Sequence, residues 1–125
     1  MFTTPEMDDY HTVAPGIRRR TLCFGSTTLM SEFRLLEAHV LPMHSHSQEQ
    51  TGYLVSGHIR LTIGDETRDV LPGDSWCVTG GVEHGAEVLQ DALAVEVFSP
   101  VREDYLPTRQ ESGTLDTSAP SSPSR

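Results

Sequence analysis

Polar and apolar residues alternate with a period of two over much of this chain, the pattern of strands that bury one face. It is cleanest in His58-Ile59-Arg60-Leu61-Thr62-Ile63. There Ile59, Leu61 and Ile63 share a face, and Gly64-Asp65 supplies hairpin chemistry before a return strand over Thr67 to Leu71. Upstream, Ile17 to Phe24 and Leu29 to Val40 read as strands divided by a turn near Gly25-Ser26. The segment Ser31 to His39 is rich in helix formers, but Pro42 follows closely and no helical stop signal appears, so a strand is expected there too. Downstream, Pro72-Gly73-Asp74 marks a turn, Ser75 to Val78 a strand, and Thr79-Gly80-Gly81 a break; Ala86 to Leu89 and Ala92 to Phe98 complete the set. Many short strands divided by Gly, Pro and Asp turns predict an all-β antiparallel sandwich or barrel over residues 17–107. Residues 1–16 are polar, with a Pro15-Gly16 turn signal, and predict an irregular or edge-pairing arm. Residues 108–125 are dominated by Ser, Thr, Pro and Gly, which predicts a disordered tail.

Composition narrows the function classes. The chain of 125 residues is long enough for one core. A formal charge of −9 argues against nucleic acid and anionic membranes as partners, since both select basic surfaces. Two cysteines, Cys23 and Cys77, with no secretory signal pattern, predict a reduced, cytoplasmic protein without a disulfide framework. No apolar run approaches the roughly 18 residues of a membrane helix.

The chemistry concentrates between Pro42 and Gly57. His44 and His46, one residue apart, project to the same side of an extended segment and suit a grip on one metal ion. Gln50 follows, and a short apolar run ends at Gly57, which reads as a turn. This spacing, His44-Ser45-His46, then Gln50, then six residues to Gly57, resembles the first motif of the cupin superfamily. Leu71-Pro72-Gly73-Asp74 running through to His84 resembles the second. The resemblance implies a jelly-roll barrel, the cupin double-stranded β-helix, with His44, His46, Gln50 and His84 as metal ligands. It also implies a homodimer. Glu96-Val97-Phe98-Ser99-Pro100-Val101-Arg102-Glu103-Asp104 is further similar to the C-terminal strand of the small KdgF-type pectin-degradation cupins, which convert cyclic unsaturated uronates to a linear keto form. From that likeness Glu96 and Arg102 are expected as catalytic residues, and Phe98 and Arg102 as the substrate contacts. Glu96 stands where the family has an aspartate, so its carboxylate reaches one methylene further.

A neutral set of three imidazoles and one amide suits a divalent transition metal, nickel, zinc, manganese, iron or cobalt, and leaves its full charge facing the substrate. That favours Lewis-acid work over iron redox chemistry. Glu49 is the rival ligand, but alternation puts it on the face opposite Gln50. His11, His39 and His58 lack motif spacing and are expected as ordinary surface or packed residues. Arg102 either binds a substrate carboxylate with both arms of its guanidinium or pairs with Glu103 or Asp104. Arg18, Arg19 and Arg20 are expected in solvent, with Arg18 or Arg20 the ones able to face the barrel mouth. Trp76, Tyr53 and Leu54 are expected in the core. The predicted function is ring opening of a small unsaturated uronate; the alternatives are an iron-dependent cupin dioxygenase and a non-catalytic small-molecule-binding cupin.

Overall fold

The computed structural model describes residues 1–107; the expected tail lies outside the described residues. Its strands are β1 (His11–Ala14), β2 (Ile17–Phe24), β3 (Leu29–Leu35), β4 (Val40–His44), β5 (Glu49–Ile63), β6 (Glu66–Val70), β7 (Ser75–Val78) and β8 (His84–Ser99), with short 3-10 turns at Pro5–Met7 and Glu103–Tyr105. All the pairings are antiparallel, in the order β1-β2-β3-β8-β5-β6, with β4 also on β8 and β7 also on β5. This is the all-β barrel that the turn-divided alternation predicts, in the jelly-roll form that the resemblance implies. No helix among the described residues is long and apolar enough to cross a membrane.

The long strands β5 and β8 form a spine that pairs from Glu49 opposite Ser99 to Ile63 opposite His84. One half is flanked by β3 and β7, the other by β4 and β6. Between the halves the inward positions of β5 change parity, from Gln50, Gly52 and Leu54 to Ile59 and Leu61. The register shifts three times between Leu54 and Ile59, around Gly57. Gly57 holds φ +92°, and a Cβ there would stand 2.2 Å from the Asp91 carbonyl oxygen. Only glycine fits both demands. Gly57 is therefore not the expected turn but a bulge inside one strand. Ala86 to Leu89 and Ala92 to Phe98 are likewise one strand, because the polar Gln90-Asp91 lies against that bulge and not in a loop. The predicted strand from Leu29 to Val40 breaks at Leu35: Leu36 N–H turns to donate to Gly16 O at 2.9 Å, and Ala38 takes a positive φ of 71°.

The core fills the barrel with Ile17, Leu29 and Leu54, all fully buried, and with Phe33, Ile59, Val88, Ala94 and Phe98 around them. The N-terminal arm pairs through β1 with β2. Tyr10 anchors it: its hydroxyl contacts Glu32 and Arg34, and the guanidiniums of Arg18 and Arg20 lie 4.9 and 4.8 Å from its ring centre. Arg18 and Arg20 thus serve the arm, and it is Arg19 that turns inward, only 8% exposed. The inward phase of β2 is set by Ile17 and carries Arg19 and Thr21 with it. Arg19 lies 3.8 Å from the Tyr105 ring centre and donates to Asp104 O at 3.4 Å, while the Thr21 hydroxyl donates to Tyr105 O. These contacts fold the chain after β8 back against the barrel, and with it Arg102.

Candidate metal centre

Three imidazoles converge near one end of the barrel. His44 comes from the end of β4, His46 from the following loop and His84 from the start of β8, where it pairs directly with His44. One nitrogen from each lies within 4.8 Å of the others. The ring centres of His44 and His84 are 4.3 Å apart, and those of His46 and His84 4.9 Å.

Each ring is held by a backbone carbonyl two residues away. His44 Nδ1 donates to Pro42 O at 2.8 Å and His84 Nδ1 to Val82 O at 2.9 Å, while His46 Nδ1 lies 3.1 Å from Gln48 O. A carbonyl only accepts, so Nδ1 of His44 and of His84 carries the proton and each of those neutral rings presents a bare Nε2. His84 Nε2 is buried without a hydrogen-bond partner among the described residues. Gln50, 6% exposed at the start of β5, brings its Oε1 to 2.9 Å from His46 Nε2. His46 thus faces an accepting oxygen on both nitrogens, and a neutral ring has one proton, so one of the two contacts sets lone pair against lone pair unless something electrophilic lies between them. Burial, chiefly, lowers the His84 pKa to about 4, and burial followed by the Arg102 charge lowers that of His46. Protons are thus disfavoured where the lone pairs meet, and a metal cation fits: four donors of the type that divalent transition metals accept, each ring oriented from behind.

Beside this cluster lies Glu96, 8% exposed, whose Oε1 accepts from the Gln50 amide Nε2 and from Trp76 Nε1 at 3.4 Å. Its burial raises the carboxyl pKa to about 7, against the lowering effect of those two donors. Phe98 is fully buried, with its ring centre 5.6 Å from that of His46. The Arg102 guanidinium lies 5.3 Å from the Phe98 ring centre and 4.0 Å from that of Tyr105. Both Nε and Nη2 of Arg102 donate to Asp104, at 3.2 and 2.7 Å. The two-armed grip expected for a substrate is taken by Asp104 through Nε and Nη2, which leaves Nη1 outside that pairing.

A family described as "Cupin domain" matches residues 32–100. The chain belongs to the cupin family. Among curated proteins it is 25% identical over 93 residues to the pectin degradation protein KdgF of Dickeya dadantii, covering 73% of this chain and 84% of that one. It is 29% identical over 99 residues to the H2HPP isomerase of Bacillus subtilis, covering 77% of this chain but only 40% of that protein. Among solved structures, KdgF from a Halomonas species superposes with a TM-score of 0.78 at 30% identity, covering 85% of this chain and 98% of that one. The chain is a small cupin resembling KdgF.

The remaining expected residues fall where chemistry allows. His11 pairs with Asp8 at 3.2 Å, His39 turns to Glu37 O, and His58 stands 3.6 Å from Asp69. All three lie outside the cupin cluster. Glu49 is exposed. Leu54 is core, whereas Tyr53 is half exposed, because it shares the outward parity of Glu49 and Thr51. Trp76 was expected only to pack; its indole instead reaches the Glu96 carboxyl over Gly52, its cross-strand neighbour. The pairing of residues 52, 76 and 96 on one rung was the missing information.

Proposed function

We propose that this cupin is a metal-dependent isomerase acting on a small carboxylated, sugar-like substrate, and that it linearises an unsaturated uronate by ring opening and tautomerisation. The observation that carries the proposal is the convergence of three imidazoles and the Gln50 amide oxygen beside the buried carboxyl of Glu96. Likeness to KdgF supports the choice of substrate class. Likeness to an isomerase supports the reaction class.

His44, His46, His84 and Gln50 would hold a divalent transition metal, which supplies a Lewis acid for substrate oxygens. Glu96 has the pKa of a group that both holds and releases a proton at neutral pH, and its hydrogen bonds from Gln50 and Trp76 both fall on Oε1. It would take a proton from a ring hydroxyl and return one to the carbon skeleton. Arg102 would meet the substrate carboxylate through Nη1, with Asp104 steadying the rest of the guanidinium. Phe98 gives that place an apolar wall.

Metal-loaded protein mixed with 4,5-unsaturated galacturonate should speed the loss of the cyclic form in proton NMR well beyond the buffer rate. A rate equal to buffer sinks the substrate assignment.

A further inference from the structure

The Gln50 amide has two ends, and only its oxygen can serve a cation. Nothing in the imidazoles selects that end, since a bare Nε2 would sooner accept from the amide nitrogen. The selection comes from the other side. Glu96 Oε1 accepts from Gln50 Nε2 while Trp76 Nε1 donates to the same oxygen, so the amide nitrogen is engaged on that side and Gln50 Oε1 is turned toward His46 Nε2. Trp76 Nε1, 3.4 Å from the same Oε1, steadies the carboxylate from a second strand.

The register explains why this falls to a glutamate. Gln50 pairs with Phe98, while Glu96 pairs with Gly52, one step further along the ladder. Diagonal neighbours of that kind lie about 7–8 Å apart. Gly52 places no side chain in the path, and a side chain ending one methylene short would stop before the amide.

We propose that Glu96 is the positioning residue of the metal centre: braced by Trp76, it holds the Gln50 oxygen toward the three imidazoles and so sets the affinity for a divalent cation. The inference rests on the metal-binding half of the function proposed above and is independent of the substrate. Outer contacts that orient a ligand are worth about 10–100-fold in metal affinity, and that is the loss expected here.

The test uses full-length metal-free protein titrated with zinc(II) against a chromophoric chelator, with circular dichroism to confirm the fold. E96A and E96D should bind zinc about 10–100-fold more weakly than wild type. E96Q, whose amide oxygen still accepts from Gln50, should stay within about threefold, since charge alone is not what orients the amide. Q50A/E96A should bind no more weakly than Q50A, because the effect of Glu96 passes through Gln50. Cobalt(II)-loaded E96D should show the visible spectrum of Q50A and not that of wild type. Wild-type affinity in E96D overturns the proposal, as does a double variant whose two losses multiply. If E96A fails to fold, E96D and E96Q carry the comparison. A wild type that binds no zinc overturns this proposal and the metal reading together. Absence of uronate turnover by a protein that binds zinc as described overturns only the substrate.

Discussion

Replacing Gly52 by alanine tests the packing behind the site. The backbone there tolerates alanine, since Gly52 is not among the glycines with positive φ. The obstacle is one side chain: an added Cβ would lie 2.2, 2.3 and 2.4 Å from Cε2, Cζ2 and Nε1 of Trp76. Ordinary contact needs about 3.5 Å, so the indole must retreat by roughly 1.3 Å, which withdraws Nε1 from Glu96. Forced overpacking of this kind costs about 1–3 kcal/mol. Trp76 is only half-buried, so it can swing and the lower half of that range is expected. Against it stands about 0.4–1 kcal/mol gained by restricting the unfolded chain. The net expectation is a loss of about 1 kcal/mol in urea unfolding, or about 4 °C in Tm. Trp76 is the chain's single tryptophan, so its emission should shift to the red as the ring moves toward water. In G52A/W76V the clash is gone and the two losses should fall short of additivity by about 1 kcal/mol. Additive losses, or an unmoved emission maximum in G52A, would refute the account of this rung.

Gly57→Ala should cost about 3 kcal/mol or more, because it adds a strained φ to a clash with the backbone oxygen of Asp91; chemical denaturation measures it. Zinc at about 100 times its Kd should stabilise the wild type by about 2.7 kcal/mol, and His84→Ala, which lacks one of the converging donors, should lose most of that gain in a thermal melt. Burial, foremost, raises the Tyr105 phenol above its ordinary pKa, so the unfolded chain releases this proton first as pH climbs. Stability is then complete below about pH 10 and falls above it; Tyr105→Phe should make the fall above about pH 10 less steep while keeping the ring contacts to Phe98 and Phe33. The homodimer that the cupin resemblance implies would give twice 13.8 kDa by light scattering, and a mass of 13.8 kDa would overturn that expectation.

The sequence was most informative where side-chain period and spacing act alone. Alternation placed Ile59 and Leu61 inward, separated Gln50 from Glu49, and with the His44, His46 and His84 spacing announced a cupin. It failed where partners decide. Arg19 shares a basic run with two residues that serve Tyr10, and only the phase set by Ile17 on β2 turns it to Tyr105. Trp76 and Glu96 are 20 residues apart, and neither hints at the other until β5 is laid between β7 and β8. Asp104 was one of the pair of acidic neighbours weighed for Arg102, and the geometry of the turn at Glu103–Tyr105 gives it both arms.

At Gly57 the difference between a turn and a bulge bears on the site itself. Gln50 and His84 sit at opposite ends of the β5–β8 ladder, one paired with Phe98 and the other with Ile63. A flat strand of roughly 14 residues would hold such positions about 46 Å apart. In the structure His46 touches both, at 2.9 Å from the Gln50 oxygen and 4.9 Å between ring centres to His84. The spine must therefore curl until its ends meet, and the break in its register lies at Ser56-Gly57-His58, where the inward parity of β5 also changes. A turn at Gly57 would have ended the strand; a bulge bends it and keeps the ladder whole on both sides. The glycine that closes the first motif thus acts on the metal centre through curvature and not through contact. Gly57→Ala protein that still folds should for that reason bind zinc more weakly than wild type, although residue 57 lies outside the ligand set.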